Sequence, residues 1–281
     1  MIVIDGKKVA NELLNELKEK IDKLDKKPAL AVILANDNPA SRVYVTSKGK
    51  KADELGIESY SYKFDKTVTQ SQLTRLIREL NLNPEINGIL VQLPLYEHLD
   101  EEEIIETIDP IKDVDGFHPI NVGKLNCNLR AYAIPCTPKG IIKLLRAYNI
   151  ELEGKNVVVI GRSNIVGKPT STLLTNENAT VTVAHTKTKD LKAIVKNSDI
   201  VVSATGHAKL ITEDMVKKGA VVIDVGIVKN ELGLLEGDVD FEKVKNKASY
   251  ITPVPGGVGP MTIACLMENT YELYMLQNRG Y

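Results

Sequence analysis

Residues 156–169 read NVVVIGRSNIVGKP. An unbroken aliphatic run of this kind is a strand buried on both faces, and the glycine-bearing segment behind it is a turn that opens a helix. A turn with little side chain lets backbone N–H groups approach a phosphate at the helix N-terminus. Gly161 suits the tight turn and Gly167 the close approach, while Ser163 stands where the usual G-x-G-x-x-G has its middle glycine, and the spacing is altered. A bare strand-to-helix connection would read the same way. What favours a nucleotide is the series that follows: TVTVAH (180–185), DIVVSAT (199–205) and AVVIDVG (220–226), separated by helical stretches, then SYITPV (249–254). Alternating strands and helices predict an α/β fold with a Rossmann-like doubly wound parallel sheet.

The end of the next strand bears on which nucleotide. A site for NAD usually places Asp or Glu about 20 residues beyond the glycines, on the ribose hydroxyls. Here that strand ends Ala184-His185-Thr186-Lys187, with no acid, and Arg162 lies in the glycine turn itself. An available cation and a missing carboxylate favour NADP over NAD, with Arg162, Thr186 and Lys187 as candidates for a 2′-phosphate. The alternative is that Arg162 and Lys187 are solvated surface charges.

Upstream, Val9, Leu13, Leu14, Leu17, Ile21 and Leu24 recur at helical spacing, ALAVIL (29–34) is a strand, and a helix runs from Pro39 to a stop at Gly56. Ile57–Phe64, residues 70–81 and residues 86–93 continue as strand, helix and strand. Tyr44 and Lys48, four apart on the helix, share one face. Such a pair can set a ring against a planar substrate and an amine against its reacting centre; it can equally be a half-buried tyrosine beside a surface lysine. Gln92 sits near the carboxyl end of GILVQLPL (88–95), where ligands collect in α/β sheets; a strand-end glutamine bonded to backbone is the alternative. KDVDGFHP (112–119) offers Asp113, Asp115 and His118. A loop carboxylate that recognises N–H donors fits better than a metal site, with an Asx-turn at Asp115-Gly116 as the plain alternative. TPVPGGVGPMT (252–262) holds three glycines and three prolines at a helix entrance, a rigid turn or a ligand-binding loop.

The whole chain has 281 residues, suited to two domains of ~100–200 residues. Its 36 Lys+Arg against 37 Asp+Glu argue against nucleic-acid or anionic-membrane binding as the main activity, as do the absence of Trp and the 5% of aromatics. Cys127, Cys136 and Cys265 form neither a disulfide framework nor a zinc pattern. The opening MIVIDGKKVANELL turns polar by Asp5, and no run reaches the ~18–20 apolar residues of a membrane span. A cytoplasmic protein without metal is expected.

Taken together, DNPASRVYVTSKGKKADELGI, GILVQLPL, KDVDGFHPINVGKL, PCTPKG, VVIGRSNIVGKP and YITPVPGGVGPMT resemble, in order and over nearly the full length, the bifunctional methylenetetrahydrofolate dehydrogenase/methenyltetrahydrofolate cyclohydrolase family. The resemblance implies NADP as cofactor, tetrahydrofolate derivatives as substrates and a homodimer formed through the cofactor domain. It assigns the motif lysine to Lys48, the stacking tyrosine to Tyr44, the glutamine beside the lysine to Gln92 and the pterin-binding carboxylate to Asp115. Pro255, Gly256 and Gly257 match the loop beside cofactor and substrate; Gly161, Arg162, Ser163 and Gly167 match the NADP turn, and His185, Thr186 and Ile227 join the expected cofactor set. One departure is Tyr96, where the family usually has proline after VQLPL, and it is expected to reshape the rim of the cleft between two domains. Those domains are expected as 1–137, completed by a helix over 261–281, and 138–260. Other readings stay open: an enzyme with the dehydrogenase activity alone, an NADP-dependent dehydrogenase of another small substrate such as a shikimate-type one, or a non-catalytic nucleotide-binding protein.

Overall fold

The structure, a computed structural model, describes residues 1–230 and 232–278. The chain runs β1 (Ile2–Val3), α1 (Gly6–Asp22), β2 (Ala29–Leu34), α2 (Pro39–Leu55), β3 (Glu58–Lys63), α3 (Gln70–Leu82) and β4 (Gly88–Gln92). Then come α4 (Glu101–Thr107), α5 (Pro119–Asn126), α6 (Cys136–Ala147), β5 (Asn156–Ile160), α7 (Gly167–Asn176), β6 (Thr180–Ala184), α8 (Leu191–Lys196) and β7 (Ile200–Ser203). It closes with β8 (Val221–Asp224), β9 (Val228–Lys229), β10 (Leu235–Glu236), α9 (Phe241–Val244), β11 (Tyr250–Ile251) and α10 (Val258–Asn278). Two compact units result: Met1–Asn11 with Pro135–Cys265, and Glu12–Ile134 with the chain from Leu266 on.

The three-stranded unit has the order β3-β2-β4, parallel throughout. Every residue of the central β2 is buried, which is why ALAVIL carries no polar alternation. α2 starts where Asn38 accepts the Ala40 N–H, with Pro39 in its first turn, and stops at Gly56, whose φ of 77° turns the chain left-handed. Thr69 and Gln72 form a reciprocal capping box on α3. Tyr96 does not shape a rim. It is buried among the aliphatic side chains of this unit's core, stacked on His98, with its backbone N–H on the Ala35 carbonyl.

The six-stranded unit has the order β1-β11-β8-β7-β5-β6, all parallel. The order in which strands are added reverses at β5, with β6 on one side and β7 on the other, so the carboxyl ends of β5 and β7 flank the switch point of a doubly wound sheet. Val158, Ile160, Val201, Val222 and Ile251 build its core. Residues 1–137 do not all fall in the one domain expected for them: Ile2 and Val3 pair with Tyr250 and Ile251. Their ladder is anchored by Ile2 N–H to Ser249 O at 2.7 Å and Ile4 N–H to Ile251 O at 2.8 Å. A two-residue strand leaves no periodicity to read. The break at Ile134–Pro135 lies in the proline-bearing stretch 130–138. α10 begins at Val258, earlier than expected, its sequence is shared between the units, and residues 279–281 of the expected helix lie outside the described residues.

Candidate active site

α2 buries Ser41, Val45, Lys48, Ala52 and Leu55, a stripe at spacings of three and four. Lys48 thus occupies a position that periodicity reserves for an aliphatic residue, and it is only 8% exposed. Its Nζ donates to Gln92 Oε1 at 3.0 Å. The glutamine Nε2 donates to the Leu93 carbonyl at 2.8 Å, which fixes the amide with its oxygen toward the amine. Lys48 is therefore no surface lysine, and Gln92 satisfies both the backbone and the side-chain expectation. Asn36, two residues beyond β2, donates to the carbonyls of Pro94 (2.6 Å) and Gln92 (3.4 Å). Nothing local in the sequence singles out Asn36, which lies two residues beyond the end of β2, whereas Gln92 is the last residue of β4. Tyr44, one turn before Lys48, is 39% exposed.

The loop carrying Asp115 is pinned to β4. Ile89 donates its N–H to Lys112 O at 2.7 Å, and Ile89 pairs with Asp113 in a parallel bridge. Asp113 accepts from Gly116 N (3.0 Å), His118 N (2.8 Å) and Asn121 Nδ2 (2.9 Å). The Gly116 N–H is thereby turned back onto the Asp113 carboxylate. Burial pushes the Asp113 carboxyl up, opposed by the Asn121 amide and the backbone N–H groups. His118 Nδ1 accepts from Ile120 N at 3.1 Å and caps α5. Asp115, two residues beyond its anchor, is half-buried.

In the six-stranded unit, Gly161 follows β5 with φ 121°. A Cβ there would run into the Ala204 carbonyl oxygen and lie 3.1 Å from its carbon. A Cβ on Gly167 would collide with the Gly161 carbonyl and reach within 2.8 Å of Arg162 N. Both positions admit glycine alone, which leaves bare backbone at the start of α7, as a dinucleotide pyrophosphate needs. Ser163 Oγ accepts from Val166 N (3.2 Å), the N-cap of α7, and from Gly167 N (3.3 Å). Ile160 pairs with Ala184, so the exposed Arg162 and Thr186 stand equally far beyond their strands at one end of the sheet. His185 Nδ1 accepts from Lys187 N at 3.1 Å, and Ile227, 45% exposed, lies just beyond β8. In the loop after β11, the Val254–Pro255 bond is cis and Gly256 accepts from Lys7 N at 3.2 Å. A Cβ on Gly6 would strike Gly257. Among the described residues no group of three or more His, Cys, Asp or Glu could hold a metal ion, and no helix is long and apolar enough to cross a membrane.

Residues 4–115 match the family model for the tetrahydrofolate dehydrogenase/cyclohydrolase catalytic domain, and residues 135–278 match that for the NAD(P)-binding domain. The chain belongs to the tetrahydrofolate dehydrogenase/cyclohydrolase family. A family relative from Sulfurihydrogenibium sp., named bifunctional protein FolD, is 56% identical over 279 residues, covering 98% of each chain. The crystal structure of the bifunctional FolD methylenetetrahydrofolate dehydrogenase/cyclohydrolase of Campylobacter jejuni superposes with a TM-score of 0.97 at 52% identity, over 98% of this chain and 99% of that one. The Trypanosoma brucei FolD, solved with NADP and an inhibitor, gives a TM-score of 0.96 at 40% identity over 100% and 99% of the chains. Within the family assignment, Lys48, Tyr44, Gln92 and Asp115 all fall in the catalytic-domain match, and the glycine turn falls in the other.

Proposed function

We propose that this chain is a bifunctional enzyme of folate one-carbon chemistry. It oxidises 5,10-methylenetetrahydrofolate to the 5,10-methenyl compound with NADP, then hydrolyses that product to 10-formyltetrahydrofolate. The observation that carries the reading is the amine of Lys48, drawn onto the buried face of α2 and held 3.0 Å from Gln92 Oε1. NADP, when bound, supplies the hydride acceptor. Gly161 and Gly167 would leave its pyrophosphate room to approach α7, Arg162 and Thr186 would hold the 2′-phosphate, and Ser163, His185 and Ile227 border the same sheet end. Pro255, Gly256 and Gly257 shape the loop beside cofactor and substrate. The oxidation leaves a cation shared by two nitrogens, so it needs positioning more than acid–base help.

Hydrolysis makes a different demand. Water adds to the methenyl carbon and loses one proton, giving a neutral carbinolamine; the carbon–N5 bond then breaks as N5 gains a proton, and the carbinol O–H releases its own to solvent as the formyl C=O forms. Lys48 takes the first proton as an amine and returns it as an ammonium, while Gln92 keeps the nitrogen in place. Tyr44 lays its ring against the folate, and Asp115 accepts from the N–H donors of the pterin.

Lys48→Met keeps an unbranched side chain one atom shorter and removes the proton carrier. Loss of methenyl hydrolysis by about 10²–10⁴-fold is expected, with NADP binding retained. Methenyl absorbance, followed as it forms and decays, reads both steps at once. Full hydrolysis by the variant would remove Lys48 from the mechanism, and formation without decay in the unaltered protein would leave the dehydrogenase alone. The same reading includes a homodimer through the cofactor domain, a cytoplasmic location and no nucleic-acid partner. The odd number and irregular spacing of Cys127, Cys136 and Cys265 support the reducing location. Sedimentation, cell fractionation and a nucleic-acid gel shift test these in turn.

A further inference from the structure

Two buried carboxylates lie behind the glycine turn, outside the residues given a role above. Asp238 is fully buried in the segment between β10 and α9. Its Oδ2 accepts from Ser203 Oγ (2.8 Å) and Thr205 N (2.6 Å), and its Oδ1 from His207 N (3.0 Å). All three donors belong to the end of β7 and the loop beyond it. Asp238 is itself held by Asp224, whose Oδ1 accepts from Asp238 N and Gly226 N, both at 2.9 Å, and whose Oδ2 accepts from Val239 N at 2.9 Å. Gly226 and Gly237 leave no room for a Cβ beside Asp238 and Asp224, respectively, so the packing around both carboxylates is closed.

The loop held this way contains Ala204, whose carbonyl is the surface against which Gly161 is packed. The N–H of Ala204 in turn bonds Ile160 O at 2.8 Å. Ser203, Thr205 and His207 thus reach Asp238 from the loop that forms one wall of the switch point between β5 and β7.

We infer that Asp238 is a positioning residue for the dinucleotide: it fixes the 203–207 loop against the Gly161 turn and so presets the wall on which the cofactor lies. The inference rests on the NADP reading above. Both oxygens of Asp238 accept, so asparagine cannot replace it. Its amide NH2 would face either the His207 N–H or the Ser203 and Thr205 donors, and a buried donor would lose its acceptor.

The test is Asp238→Asn, with NADP binding measured directly by calorimetry. The dissociation constant is expected to rise about tenfold, with KM for NADP rising in proportion and kcat changing less. Hydrolysis of supplied 5,10-methenyltetrahydrofolate, which needs no NADP and uses Lys48 in the three-stranded unit, should stay within about twofold. Ser203→Ala removes one donor and leaves the carboxylate; a several-fold rise in the dissociation constant is expected, and this variant decides the matter if Asp238→Asn does not fold. An unchanged dissociation constant overturns the inference. So does a parallel fall of hydrolysis and thermal midpoint with NADP affinity, since that marks a structural role only. If the unaltered protein binds no NADP, the cofactor reading itself has failed, and that is visible before any variant is compared.

Discussion

Gly161→Ala tests the physical argument at the centre of the cofactor turn. The substitution adds one methyl group, and two costs follow. The backbone φ of 121° lies outside the region L-residues occupy, which costs on the order of 1–3 kcal/mol. The new Cβ would also sit 3.1 Å from the Ala204 carbonyl carbon and closer still to its oxygen. That neighbour is backbone, so it must move rather than rotate away, and overpacking of this kind costs roughly 1–3 kcal/mol. A total of about 2–6 kcal/mol is expected. Gly154→Ala is the internal control. Gly154 also has a positive φ, 71°, but an added Cβ meets nothing within 4 Å, and it lies before β5 rather than after it. There only the left-handed penalty of about 1–2 kcal/mol applies. Urea unfolding of both variants beside the unaltered protein, with NADP titration of each, measures the difference. Gly161→Ala should be the less stable by at least ~1 kcal/mol and the only one to lose NADP affinity. Equal destabilisation, or a Gly161→Ala protein that binds NADP normally, would refute the close-approach argument.

Arg162→Ala should weaken NADP by roughly 10–100-fold while leaving NAD nearly unchanged, because the lost group is a charged partner for the 2′-phosphate; equal losses for both nucleotides would sink that assignment. Asn36→Ala removes a 94%-buried donor that serves two carbonyls beside Gln92. Destabilisation of about 1–3 kcal/mol is expected, with methenyl hydrolysis falling more than NADP affinity; matched losses would make Asn36 purely structural. Burial pushes the Asp224 carboxyl from 3.8 up to about 6, against the Val239 and Asp238 N–H groups, and the Asp238 charge adds to the rise. The folded state then binds more protons than the unfolded one between those values, so this group's contribution falls as pH rises from about 4 to 6, by roughly 3 kcal/mol. Urea midpoints across that window check it, and Asp224→Asn should remove that part of the slope.

The large parallel elements were legible because burial on both faces writes itself into composition. ALAVIL and NVVVI carry no polar alternation, and the chain has no other use for such runs. The bounds of α2 could be read from Asn38, Pro39 and Gly56, which act locally. Long-range pairings were harder. Lys48 and Gln92 are 44 residues apart and Ser203 and Asp238 are 35 apart, so nothing local marks either pair. Lys48 and Gln92 became a pair only through the family resemblance. Asp224 was hidden within an aliphatic strand, and the burial that makes it noteworthy is a property of the fold. β1, α4, α5 and the β9–β10 hairpin are too short for their periodicity to speak.

Because α10 divides at Cys265–Leu266 and its second part belongs with Lys48, the order of synthesis acquires a meaning. The amides of Asn269 and Gln277 hold the carbonyls of Val114, Ile134, Asn87 and Ile111, and the Tyr274 hydroxyl holds that of Lys26. Translation must therefore pass through the rest of the six-stranded unit before the unit begun at residue 12 can close its hydrogen bonds. The six-stranded unit, begun at Met1, is interrupted by the other and completed before it, and cutting the gene at Pro135 would leave both pieces unfinished.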